Sequence, residues 1–214
     1  MASADDASTD IEKVVKAFAS DISDSATKLL KASADKKAKA KSKDDKKGSK
    51  KDDSKPPTIE FVLDSNPATK SRTPAEQAEE IVAGKSWVCW GAHMADKARH
   101  VIMKVDGKVN WDPKKVFDDD FPDFKKLWTS AMKSNGLVNA NGGDGWYDGD
   151  SFHLELPGSK IAKADERAKA CFEEYVRLTR EGGKDKNDKF ESDYAKDLKP
   201  YIDAAEKKVG DKKK

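Results

Sequence analysis

The chain has 214 residues, enough for one or two domains, with 38% charged and 36% hydrophobic residues. Its 42 basic and 40 acidic side chains leave a net charge of only +2, so most of the charge is expected as solvated surface. No apolar run approaches the roughly 18–20 residues that cross a bilayer, the opening MASADDASTD has no basic-then-apolar leader pattern, and two cysteines give no disulfide framework, which together point to an intracellular protein of a reducing compartment.

In chain order, Ile11, Val14, Val15, Phe18, Ile22, Ala26, Leu29 and Leu30 recur at helical spacing and predict an amphipathic helix over 11–30. The Lys-rich stretch 34–57 has no core-forming residue and carries a net charge of about +5, which predicts a disordered linker. TIEFVLD at 58–64 reads as a short strand. TPAEQAEEIVAG at 73–84 has helix punctuation: Thr73 as N-cap, Pro74 in the first turn, Glu76 closing a capping box and Gly84 as the stop. HVIMKVDGKVNW at 100–111 places two apolar runs around Asp106-Gly107, the signal for a tight hairpin. Phe124, Leu127, Trp128, Ala131 and Met132 form the stripe of a helix that stops at Gly136. A Gly/Asn/Asp-rich loop follows. Ala164, Ala168, Cys171, Phe172, Tyr175 and Leu178 then predict a helix over 162–181, and another is expected over 190–208, kinked near Pro200.

These elements predict a mainly α fold: a helical core domain over 58–206 with one or two short β-hairpins, and flexible arms over 1–57 and 207–214, the last eight residues carrying about +4.

KSWVCWGAH at 85–93 gathers the residue types that chemistry uses, and its weight as a site depends on what surrounds it. Cys89, with His93 four residues on and His100 and His153 beyond, could serve a cysteine hydrolase only if the fold activates the thiol; flanked by Trp87 and Trp90 it reads first as a buried small hydrophobe. Two cysteines and three histidines without CxxC or HxxxH spacing predict no metal site. Asp144, Asp148 and Asp150 do not follow the calcium-loop order, and no phosphate-binding loop or nucleophile elbow occurs. No catalytic residue and no cofactor is therefore expected. Nucleic acid is the better partner, because polybasic segments attract phosphate without reading sequence, and Lys160, Lys163, Arg167 and Lys169 cluster at the start of the 162–181 helix.

Four blocks in order, TPAEQAEEIVAGKSWVCW, HVIMKVDGKV, PDFKKLWTSAM and ADERAKACFEEYVRLT, resemble the coat proteins of flexuous filamentous plant viruses, the potyvirus group in particular, across roughly 73–180. In the last block Ala168, Lys169, Cys171, Phe172, Glu173 and Tyr175 occupy the matching places, with Glu173 where the family has Asp and Lys160 and Lys163 nearest to its groove Arg. The resemblance implies a non-enzymatic coat protein of a virion in the host cytoplasm, self-assembled into a helical filament around single-stranded RNA, without membrane insertion. It implies a groove at Lys160, Lys163, Arg167 and Lys169 with Glu173 orienting a cation, and makes the 11–30 helix the element that docks on a neighbour, unless it docks on its own body. The alternative from the residues alone is a cellular non-enzymatic adaptor or nucleic-acid-associated protein with a helical body and a charged tether.

Overall fold

A computed structural model describes residues 4–44, 55–66 and 69–211; the middle of the expected linker, at 45–54, and the last three residues lie outside the described residues. The fold is mainly helical with one small antiparallel sheet. The single core expected over 58–206 is instead divided between two compact units, each assembled from two stretches of chain: residues 1–65 with 99–157, and residues 66–98 with 158–214.

The first unit begins with α1 (Ala4–Asp44), which is longer than the 11–30 helix that its stripe predicts. Residues 34–44, expected as part of the linker, continue the helix. Alanine and lysine are good helix formers, and extending an existing helix avoids the cost of nucleation. Ile11, Val15, Phe18, Ile22 and Ala26 are fully buried against the unit's own sheet and helices, so the apolar stripe is docked in cis. The sheet runs β1 (Ile59–Leu63), β2 (Ala98–Val105) and β3 (Lys108–Asn110), with β4 (His153–Glu155) also paired to β2. β1 is antiparallel to β2 from Ile59 opposite Val105 to Leu63 opposite Val101.

The hairpin between β2 and β3 turns at Asp106-Gly107 as expected. Both residues have positive φ (48° and 77°), the backbone of a type I′ turn, and Thr58 N–H donates to Asp106 Oδ1 at 2.9 Å. α1 covers the outer edge of β1 through two hydroxyls one turn apart. Phe61 N–H donates to Ser23 Oγ at 2.7 Å, and Thr27 Oγ1 accepts from Ile59 N–H at 3.2 Å while donating to Ile59 O at 3.1 Å. An edge strand that would offer open backbone groups is thereby closed by a helix.

α3 (Pro113–Phe117) and α4 (Phe121–Ser134) complete this core. The stripe of α4 behaves as its spacing predicts, and Gly136 takes the left-handed conformation (φ 64°) that ends the helix. Trp128 is the hub: Phe18 meets it edge-on at 4.8 Å, Trp146 at 5.1 Å and Phe61 at 5.6 Å.

In the second unit α2 (Pro74–Val82) has the complete capping box, Thr73 Oγ1 accepting from Glu76 N–H and Glu76 Oε2 from Thr73 N–H at 2.8 Å. α5 (Glu166–Val176) starts four residues later than the expected 162, because Asp165 caps it by accepting from Arg167 N–H at 2.9 Å; Ala164 is consequently exposed. Arg177–Glu181 extends it as a π turn. The last helical region is two helices, α6 (Asp188–Asp193) and α7 (Ala195–Asp211). The break falls at Tyr194 rather than Pro200. Pro200 lies inside α7 on its exposed side, where the Lys196 carbonyl that loses a donor can be met by water. The tail expected from 207 is thus helical through Asp211.

If α1 docks in cis, Phe18→Ala should lower the free energy of unfolding by about 3–5 kcal/mol, and the urea midpoint of the unaltered protein should not depend on protein concentration. A midpoint that rises with concentration would instead put the stripe on a second copy.

Candidate functional site

The five residues assigned to an RNA groove belong to the second unit, and each has its own surroundings. Lys163 lies in the turn before α5, forms an ion pair with Asp197 and sits over the rings of Trp90 (5.4 Å) and Tyr194 (5.6 Å). Arg167 makes a two-pronged contact with Asp165, at 3.0 Å from both Nε and Nη2, and donates to the Met94 carbonyl at 2.9 Å. Lys169 pairs with Glu166 at 2.6 Å. Lys160 is exposed, and no ion pair joins it to another of the described residues. Glu173 lines a shallow groove of about 370 Å³ between α5 and the start of α2, with Thr73, Pro74 and Arg177, and among the described residues it pairs with none of the four cations. Three of these cations are therefore neutralised within their own unit, and the five positions do not share a partner.

The segment 85–93 is core and surface by turns. Gln77, itself buried in α2, donates to Ser86 Oγ at 2.6 Å and to the Val88 carbonyl at 2.7 Å, which fixes the segment on the helix. Cys89 is fully buried beside Cys171, and both are free thiols. Burial first, and the hydrogen bond with Cys171 second, push the Cys89 thiol above its ordinary range, so the thiolate that nucleophilic chemistry needs is disfavoured. Trp90 packs edge-on against Tyr194 at 5.2 Å, whereas Trp87, expected as a second anchor, is 48% exposed with Lys189 over its ring at 4.8 Å. The His93 ring is held within the same unit, Nδ1 lying 2.7 Å from the Lys70 carbonyl.

In the first unit the Gly/Asn/Asp loop is organised by Asn139, whose Oδ1 accepts from Asn141 N–H at 3.0 Å and Gly143 N–H at 3.1 Å while Nδ2 donates to the Gly145 carbonyl at 2.8 Å. Its acids point to different partners: Asp144 to Lys133 at 3.0 Å, and Asp148 to Lys125 at 3.7 Å and to Trp146 Nε1 at 2.6 Å. This is a turn with paired acids, not a converging calcium cage. Asp150 differs, because it lies beside a histidine pair that the sequence did not signal. His153 Nδ1 is 3.0 Å from His100 Nε2, and His153 Nε2 is 2.9 Å from Glu155 Oε1. His100 and His153 are 53 residues apart, and only the pairing of β4 with β2 brings them together. The period-2 spacing of His153 and Glu155 was the one legible hint that they share a face.

The Asp165–Arg167 contact has a measurable signature. The Arg167 side chain, then its backbone N–H, lower the Asp165 carboxyl to about 2. A depressed carboxylate contributes stability that is present above its unfolded value of about 3.9 and is lost as pH falls toward about 2. Carboxyl NMR titration should find Asp165 near 2, and Arg167→Ala should raise it. Titration of Asp165 at an ordinary aspartate value in the unaltered protein would refute the contact.

Compared with known proteins, the chain matches no family model, and neither a curated protein nor a solved structure is similar to it.

Proposed function

We propose that the protein is a non-enzymatic, nucleic-acid-associated adaptor: a body of two compact units carrying a lysine-rich helical tether. The observation that supports this reading is the division of charge. Lys163, Arg167 and Lys169 on the body are matched by Asp197, Asp165 and Glu166. Lys31, Lys36 and Lys37 are exposed on α1 beyond the last fully buried residue of its stripe, Ala26, and the sequence adds Lys41 and Lys43 in the last turn, where the helix dipole favours cations. Such a segment attracts phosphate by releasing counterions and reads no sequence. No helix among the described residues is long and apolar enough to cross a membrane.

A second reading is the filament-forming coat protein of a single-stranded RNA virion, carried by the four ordered blocks described above. It needs α1 to seat on a neighbouring copy. Because residues 45–58 separate α1 from β1, the contacts made in cis here could be exchanged between copies. Both readings place the RNA contact on lysines and differ in assembly.

Anisotropy with a single-stranded RNA should show affinity falling with salt, with a slope of about −0.7 per phosphate neutralised. Replacing Lys31, Lys36, Lys37, Lys39, Lys41 and Lys43 by Gln should flatten that slope, while replacing Lys163, Arg167 and Lys169 should change it little. Binding that survives the first set and fails with the second would overturn the tether. Negative-stain images with RNA should show discrete particles; filaments would select the coat protein.

A further inference from the structure

The strands β2 and β4 alternate their side chains. Val101, Met103, Phe152 and Leu154 enter the core of the first unit, and by period-2 alternation His100, His153 and Glu155 project from the opposite face. On that face four groups meet. His153 Nδ1 lies 3.0 Å from His100 Nε2 and 3.6 Å from Asp150 Oδ2, and behind it His153 Nε2 meets Glu155 Oε1 at 2.9 Å. His153 and Glu155 are only 6% and 4% exposed, whereas the Asp150 side chain is 43% exposed and opens this cluster to solvent.

The chemistry of the donor set follows from Glu155. A carboxylate accepting at Glu155 places the ring proton of His153 on Nε2, the tautomer in which Nδ1 is the lone-pair nitrogen. That nitrogen faces the second imidazole and the Asp150 oxygen. In a tetrahedral zinc site with bonds of about 2.0–2.1 Å, neighbouring ligand atoms lie about 3.3 Å apart. The two spacings that meet at His153 Nδ1, 3.0 Å to His100 Nε2 and 3.6 Å to Asp150 Oδ2, bracket that value. A carboxylate on the far nitrogen of a histidine is also the arrangement that orients metal-binding imidazoles and raises their basicity. In that tautomer the 3.0 Å contact is a donation from His100 Nε2–H to His153 Nδ1; to take up an ion, His100 moves its proton to Nδ1 and presents Nε2.

We propose that His100 Nε2, His153 Nδ1 and Asp150 Oδ2 bind a divalent first-row transition ion of the zinc class, with Glu155 as the positioning residue behind His153. Two imidazoles and one carboxylate suit zinc and its neighbours rather than magnesium or calcium, and water completes the coordination. The ion would tie β2 to the loop that carries Asp150, joining segments far apart in the chain. This inference uses residues outside the tether and goes beyond the proposed function.

The test uses the full chain, stripped with chelator and titrated with Zn²⁺ by calorimetry and with Co²⁺ by visible absorption. About one equivalent should bind, with the intense Co²⁺ bands of a four-coordinate site. The chain has three histidines, so their ring signals can be assigned by NMR, and those of His100 and His153 should move on adding Zn²⁺. His100→Gln and His153→Gln should abolish this binding, and Glu155→Gln should weaken it about 10–100-fold, with circular dichroism confirming that each variant folds. Zn²⁺ that leaves the His100 and His153 signals of the unaltered protein in place would overturn the site. So would equal affinity for the unaltered chain and folded His100→Gln and His153→Gln variants.

Discussion

The closure of the β1 edge by α1 is the constraint on which the first unit depends. A helix can bury an apolar stripe on many surfaces, but Ser23 and Thr27 restrict this one to a single register against Ile59 and Phe61. With the edge satisfied, Phe61 can face inward between Trp128, Phe124 and Phe152, and Phe18 can meet Trp128 edge-on. Buried Arg99, at the start of β2, adds an ion pair with Glu12 on the same helix at 3.6 Å. Take α1 away and the strand offers open backbone groups beside an exposed aromatic core, the combination that promotes pairing with another chain.

The second unit is held by a different device, a polar network inside a helical cluster. Tyr175 accepts from Asn187 N–H at 3.0 Å and donates to Glu191 at 3.1 Å, while Arg180 grips both oxygens of Glu191 at 2.9 Å. Asn187 caps α6 and reaches the Ile81 carbonyl at 2.7 Å, so the end of α2, the π turn and α6 are bound together. Burial pushes the Glu191 carboxyl up, and the hydrogen bond and charge of Arg180, with help from Tyr175, outweigh it and leave it below the ordinary range. Satisfied networks of this kind specify one packing arrangement more sharply than apolar contact alone.

Local signals were legible wherever a few adjacent residues decide the outcome. The capping box at Thr73 and Glu76, the Asp106-Gly107 turn, the glycine stop at Gly136 and the apolar stripe of α4 need only neighbours in sequence. The structure departs from the local pattern where a distant or competing group decides. Asp165 captured the start of α5 from the stripe's apparent beginning, and Tyr194 rather than Pro200 ended a helix. The absence of core residues over 34–57 suggests a linker, but over 34–44 a docked helix needs none in order to continue for several turns. The cationic cluster at 160–169 was visible as composition, while the carboxylates that neutralise it were not; Asp197 lies 34 residues from Lys163.

By itself the sequence determined the mainly helical class, the hairpin, the helix caps and the apolar stripes, because dihedral preference, capping and hydrophobic periodicity act over a few residues. Only the tertiary structure decided that the chain packs as two interleaved units, that the stripe of α1 rests on its own sheet, and that His100, His153, Asp150 and Glu155 meet on one face. Those outcomes depend on strand register and on contacts between residues dozens of positions apart. A one-residue slip in the pairing of β4 would send His153 into the core and Leu154 to the opposite face.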